Sequence, residues 1–177
     1  MALDLLGRGP TAWLLEKRPL DPAEPLYYAF NRSLLSHRME DALTLLALMR
    51  HNYGVKHPAL IGLGMGAVIA LLARPLAGDL GATAADLRGC RVEDDSFWLG
   101  EAYHPLIRKI GDLRGAFLLG PPSPLLLSHP GPSLLRWSKT LSRLDRRAAV
   151  RSVPGALSPE DIVRLLGVHN PGRGRKR

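Results

Sequence analysis

The sequence predicts an α/β fold, a mostly parallel sheet with helices on both faces, and two observations carry that prediction. Segments with strand and helix character alternate at least four times along the chain, the pattern of repeated crossover connections. Residues 59–71 (Ala-Leu-Ile-Gly-Leu-Gly-Met-Gly-Ala-Val-Ile-Ala-Leu) read as an apolar strand, a glycine-packed turn and the opening of an apolar helix. The chain has 177 residues, 46% of them hydrophobic, which is enough for one domain with a core of its own. That domain is expected over residues 1–168, with a basic flexible tail over 169–177.

Taken in order, residues 2–6 read as the end of a strand stopped by Gly7-Arg8-Gly9-Pro10. Residues 19–28, rich in proline and tyrosine, read as a surface loop. From about Ser33 to Asn52, Leu35, Met39, Ala42, Leu43, Leu46 and Met49 recur every three or four residues, so a helix with one apolar face is expected, ended by Gly54. A strand at 58–62 and a helix from about 65 to 77 follow, the helix closed by Pro75 and Gly78. Ala82 to Leu87 reads as the next strand, and Gly89 to Gly111 as a loop holding a short helix. Leu113 to Leu119 reads as helix, broken by Gly120-Pro121-Pro122, and Leu125 to Ser128 as strand. A helix near Ser133–Leu144, a strand near Ala148–Val153 and a helix from Pro159 to Leu166, capped by Ser158 with Asp161 at its third position, complete the series. No internal repeat is present.

The formal charge is +8, but Arg173, Arg175, Lys176 and Arg177 supply half of it from the terminal tail. The lone cysteine, Cys90, excludes an internal disulfide and reads as a small packed residue near a strand end. Met1 to Gly9 are too short and too polar for a signal peptide, and no run of about 18 uncharged apolar residues exists, so the chain as given reads as cytoplasmic with no membrane partner.

The spacing Gly62-x-Gly64-x-Gly66 is that of the nucleophile elbow G-x-S-x-G, where a sharp turn from strand to helix projects a hydroxyl or thiol above the sheet. Here the nucleophile position is Gly64, which has no side chain. No Ser, Thr, Cys or Asp lies between Lys56 and Arg74, so a change of register does not supply one. Gly62, Gly64, Met65 and Gly66 are the candidate ligand-binding residues, with the Met65 N–H and the helix start left to meet an oxyanion or carboxylate. The plainer reading is that these small residues let helix and strand pack closely. The same glycines fit the dinucleotide pattern Gly62-x-Gly64-x-x-Ala67, which wants an acidic residue at the end of the next strand; Asp86 is the loose match.

Several motifs together resemble the carboxyl-terminal part of the α/β-hydrolase superfamily, in its acetylxylan esterase, dienelactone hydrolase and prolyl oligopeptidase-like members. Leu3-Asp4-x-x-Gly7-x-Gly9-Pro10-Thr11 looks like the turn after that fold's fourth strand. Arg38-x-x-Asp41 looks like the R-x-x-D ahead of the elbow, and Ala82–Leu87 and Pro124–Ser128 are similar to its sixth and seventh strands. The resemblance spans residues 3–168 and implies a catalytic acid just after Ser128 and a histidine just after Val153. His129, Pro130, Gly131, Pro132 and Ser133 follow the first, with no carboxylate before Asp145. Pro154 to Ser158 follow the second, with no histidine before His169. All three triad positions are therefore vacant. The resemblance also implies that the first three strands lie outside this sequence. Either the chain is the later half of a longer protein, or it completes its sheet by pairing with itself or with a partner chain, and residues 2–6 would be the raw edge.

The six histidines, His37, His51, His57, His104, His129 and His169, show no spacing of a metal site. Glu93, Asp94 and Asp95 read as a solvated loop. Arg136, Lys139, Arg143, Arg146, Arg147 and Arg151 with Trp137 form the densest basic stretch, which reads as a solvated helix face and alternatively as a phosphate-tracking surface. The expectation is a degenerate, non-catalytic α/β-hydrolase-like domain that binds an ester, carboxylate or carbohydrate, with no cofactor and no metal. The alternatives are an active hydrolase whose missing part lies elsewhere, a basic interaction module and a dinucleotide-binding protein.

Overall fold

The structure is a computed structural model that describes residues 2–6, 8–17, 30–144 and 150–167. A 3-10 turn at Gly9–Thr11 leads into α1 (Ala12–Lys17), and α2 runs over Leu34–Tyr53. Then come β1 (Leu60–Leu63), α3 (Met65–Ala73) with a 3-10 turn at Arg74–Leu76, and β2 (Thr83–Asp86). After α4 (Asp95–Leu99) and α5 (Asp112–Leu119) the chain forms β3 (Leu125–Ser128), α6 (Pro132–Leu144), β4 (Val150–Val153) and α7 (Pro159–Leu165). The four described strands pair in the order β1-β2-β3-β4, all parallel. The α/β class read from the sequence is the class of the structure.

Local chemistry sets the boundaries of α2 and α7. Ser33 caps α2, its hydroxyl accepting from the Ser36 N–H at 3.2 Å, and Gly54 ends it in the left-handed region at φ 66°. Ser158 and Asp161 form a reciprocal capping box at the start of α7. The expected helix to residue 77 ends at Ala73, because Pro75 cannot donate to a continuing helix. The proline-rich loop at 19–28 and the tail at 169–177 lie outside the described residues, as do the first two residues of the expected strand at 148–153.

The helices whose packing is defined by contacts, α2, α3, α5 and α6, follow one another in one layer, where the sequence reading expected helices on both faces of the sheet. α3 packs on β1 and β2 and is flanked by α2 and α5, with α6 next to α5. The main core lies between this layer and the strands: Val68, Leu71 and Leu72 of α3 meet Ala85, Leu125 and Leu127, and Leu35, Trp98, Leu113 and Leu134 complete it. Burying a leucine of this kind contributes roughly 2 kcal/mol. Cys90 packs against this core as expected, and burial, with the nearby Glu101 and Asp86 carboxylates, raises its thiol pKa. Arg74 is buried as well; burial lowers its pKa to about 10, and its guanidinium donates to the carbonyls of Pro121 at 2.5 Å and Ser123 at 2.7 Å.

Residues 2–6 are not a strand, which corrects the sequence expectation. The peptide groups of Leu6 are taken by side chains of α2: its N–H donates to Asp41 Oδ2 at 2.9 Å, and its carbonyl accepts from Arg38 Nε at 3.0 Å. The Arg38-x-x-Asp41 pair therefore clamps the amino-terminal segment to a helix and leaves those groups unable to join a ladder. Among the described strands the sheet edges are β1 and β4, and the one beside this segment is β1. Leu60 N–H donates to Ala82 O and Gly64 N–H to Asp86 O, so the N–H and C=O of the intervening Ile61 and Leu63 point away from β2. Both side chains are exposed, at 45% and 58%. A groove of about 760 Å³ lies along this edge, walled by residues 2–5, α2, β1 and α3.

Gly62 sets the distance between β1 and α3. A Cβ there would stand 2.2 Å from Gly66 O and 2.7 Å from Ala67 Cα, both rigid backbone, whereas at Gly66 a Cβ meets nothing within 4 Å. Gly62→Ala should therefore destabilise the fold by about 3 kcal/mol, and Gly66→Ala should raise stability by about 0.5 kcal/mol through its better helix propensity. Urea midpoints of the two variants check this; equal shifts would contradict the packing described.

Candidate functional site

Parallel α/β sheets present ligand sites at the carboxyl ends of their strands, where the loops open. In this chain the register aligns Leu63, Asp86, Ser128 and Val153 as the last residues of β1 to β4. The turns that follow them, beginning at Gly64, Leu87, His129 and Pro154, therefore share one end of the sheet.

The first turn is a direct strand-to-helix turn at the glycines singled out in the sequence. Gly64 has φ 56° and ψ −127°, a conformation that residues with side chains rarely adopt. Its N–H donates to Asp86 O at 2.8 Å and its carbonyl accepts from Ala67 N–H, so the turn is fixed at both ends. α3 starts at once with Met65 and Gly66, the first of the helix N–H groups that lack an intrahelical acceptor. The structure thus brings Gly62, Gly64, Met65 and Gly66 together in one strand-turn-helix, with Gly62 facing the helix and Gly64 at the turn.

The next two turns hold a pair that the sequence reading did not assemble. Asp86 is fully buried. Its Oδ1 accepts from His129 Nδ1 at 2.8 Å and from the Arg88 N–H at 3.1 Å; its Oδ2 accepts from Arg88 Nε at 2.8 Å, from the second Arg88 nitrogen and from the Leu157 N–H at 3.2 Å. Burial alone would raise the pKa of this carboxyl. The hydrogen bonds from Arg88, His129 and the Leu157 and Arg88 backbone outweigh burial and hold it far below the usual carboxylate range.

An ionised carboxylate only accepts, so the proton of a neutral His129 sits on Nδ1 and the lone pair on Nε2. Among the described residues Nε2 meets no partner, and the side chain is 39% exposed. His129 itself takes φ 51°, and Ser128 beside it is buried with its hydroxyl donated to Gly155 O and within 3.0 Å of His129 Nδ1. The loop after β4, expected to bring a histidine, instead brings backbone: Gly155 O to Ser128 and Leu157 N–H to Asp86. Asp86, the loose acidic match to the dinucleotide pattern, has both oxygens engaged by the protein.

The remaining candidates are occupied locally. Glu93 accepts from the Ser133 and Leu134 N–H groups at the start of α6, Asp94 pairs with Arg91 and Asp95 with Arg108. Arg136, Lys139 and Arg143 are exposed on α6 and Arg151 on β4, while Trp137 turns inward, donating to Arg114 O at 3.3 Å; Arg146 and Arg147 lie outside the described residues. His57 pairs with Asp79 on the surface. His104 Nδ1 sits 3.0 Å from Ser33 Oγ and 3.1 Å from Ser36 Oγ, and burial lowers its pKa. It borders an apolar cleft of about 490 Å³ lined by Leu35, Met39, Leu72 and Leu119, which shares no residue with the Asp86–His129 pair. Among the described residues no three His, Cys, Asp or Glu side chains converge as a metal site, and no helix is long and apolar enough to cross a membrane.

In comparisons with family models, curated proteins and solved structures, the chain matches none.

A depressed carboxylate links stability to pH. Because the unfolded Asp86 takes up its proton near pH 4, before the folded one does, its contribution is complete above that pH and is lost as the pH falls further. Asp86→Asn should cost roughly 2 to 3 kcal/mol near neutral pH, and the gap to the parent chain should shrink toward about pH 3. Urea unfolding at both pH values measures it, and a gap independent of pH would show that Asp86 is not held ionised in the fold.

Proposed function

We propose that this chain is an α/β-hydrolase-like domain that binds an ester, carboxylate or carbohydrate at the carboxyl end of its sheet and forms no covalent intermediate with it. The observation that carries the reading is the buried Asp86 orienting an accessible His129 at the same end of the sheet as an elbow without a nucleophile. Support comes from each part of that end. The Gly64 turn has elbow geometry but no side chain, so attack by the protein at that position is excluded. The Met65 and Gly66 N–H groups lie at the start of a helix of nine residues, where the backbone favours a negatively polarised oxygen. His129 Nε2 offers one acceptor to a hydroxyl or a water.

Ser128 does not replace the absent nucleophile. It has no exposure and its hydroxyl is committed to Gly155 O.

Titration of the isotopically labelled protein with acetate, methyl acetate and xylose, followed by amide and imidazole NMR, tests the reading. At least one ligand should shift the Met65 and Gly66 amides together with the His129 ring while leaving His57 unmoved. Absence of shifts at all three of those groups with every ligand would overturn it.

A further inference from the structure

We propose that the outer face of α6 is a docking surface for the phosphate backbone of duplex nucleic acid. The proposal is independent of the ligand reading at the carboxyl end of the sheet. It begins from an imbalance of charge along the chain. Between Asp112 and Glu160 the sequence holds seven Lys and Arg residues and a single acid, Asp145. Three of the seven, Arg136, Lys139 and Arg143, are exposed on α6, a helix with no acidic residue of its own.

Elsewhere the arginines have found partners within the fold. Arg32, Arg88, Arg91, Arg108 and Arg114 each meet a carboxylate, and Arg38, Arg50 and Arg74 donate to backbone carbonyls. Among the described residues the side chains of Arg136, Lys139 and Arg143 meet neither. Spaced three and four apart, they form one row along the helix. At about 1.5 Å per residue that row is about 10 Å long, roughly one screening length in 0.1 M salt, so the three charges act on a partner together. The opposite side of the helix is taken up by the core: Leu134, Ser138 and Leu141 are buried, and Trp137 donates to Arg114 O. α6 also ends the row of packed helices, against α5 and the edge strand β4, which leaves the basic face open.

Chemistry selects the partner. A guanidinium meets two phosphate oxygens at once, and a duplex presents one charge per ~1.7 Å of axis, so a row of this length faces several phosphates. A helix that lies in a bilayer surface inserts large apolar side chains beside its cations, and none of the exposed large apolar side chains of the described chain lies on α6. Single strands are held on exposed aromatic rings, whereas the one aromatic of α6, Trp137, turns inward. The helix N-terminus takes no part, because Glu93 already accepts from the Ser133 and Leu134 N–H groups there.

Fluorescence anisotropy of a labelled DNA duplex of about 20 base pairs, titrated with the full chain from about 50 to 200 mM salt, tests the proposal. The triple variant Arg136→Gln, Lys139→Gln, Arg143→Gln should bind at least ~10-fold more weakly at the low-salt end, and its slope of log affinity against log salt should be shallower by about 2.7, which is three phosphate contacts at about 0.9 each. Arg136→Gln alone should flatten the slope by about 1. Glutamine is a good helix former, so these exposed positions keep the helix. A second triple, Lys56→Gln, Lys109→Gln, Arg164→Gln, removes the same charge from exposed positions elsewhere and should keep the parent slope. Equal losses in the two triples would trace binding to net charge alone and overturn the proposal. So would an unchanged slope in the α6 triple, no binding of the duplex by the parent chain, or binding to phosphatidylserine vesicles in place of the duplex.

Discussion

A carboxylate removed from water must be enclosed by donors, and Asp86 draws those donors from three separate parts of the chain, while its backbone carbonyl accepts from a fourth. Its own carbonyl holds the Gly64 turn after β1, and its side chain holds His129 after β3, Arg88 after β2 and Leu157 after β4. The carboxyl ends of all four strands are thereby tied to one residue. A charge at this depth costs several kcal/mol in desolvation unless its hydrogen bonds are complete, and here the requirement for completeness ties down the three loops that donate to it. The same requirement orients His129. Structure and candidate chemistry at this end of the molecule therefore have a single cause.

A second anchoring of this type operates at the amino end of the described chain. Arg38 is buried on α2, and burial together with Arg8 lowers its pKa against the opposing pull of Asp41 and Glu101. With Asp41 it holds both peptide groups of Leu6. Side chains of a helix have taken the hydrogen bonds that a neighbouring strand would have used, and the consequence is an open β1 edge beside a groove.

The helices and strands were legible where local rules decide them. Ser33 and Gly54 mark α2 because capping and the left-handed region depend only on adjacent residues. The β1 turn and α3 are legible because Gly62 and Gly66 lie four apart, at the one place where strand and helix must touch. Residues 2–6 misled for the opposite reason: an apolar run reads as a strand, and nothing nearby shows that Arg38 and Asp41, more than thirty positions away, will claim its backbone. The Asp86–His129 pair was illegible in the same way. Its members are 43 residues apart and sit one strand earlier than the order of a hydrolase triad directs the search. A usable signal was present, since each follows or ends a short apolar segment and loop residues come within two positions of each, Arg88-Gly89 and Pro130-Gly131. Two polar residues at the ends of neighbouring parallel strands are candidates to meet.

The open space at Gly64 bears on how such a site changes over time. The turn already holds the backbone that a nucleophile would need, at a strain of about 1 to 3 kcal/mol for any residue with a side chain, and a Cβ there has room. Glycine and serine codons can differ by a single base. A hydroxyl at that position is thus one nucleotide away, at the cost of the strain that the positive φ imposes.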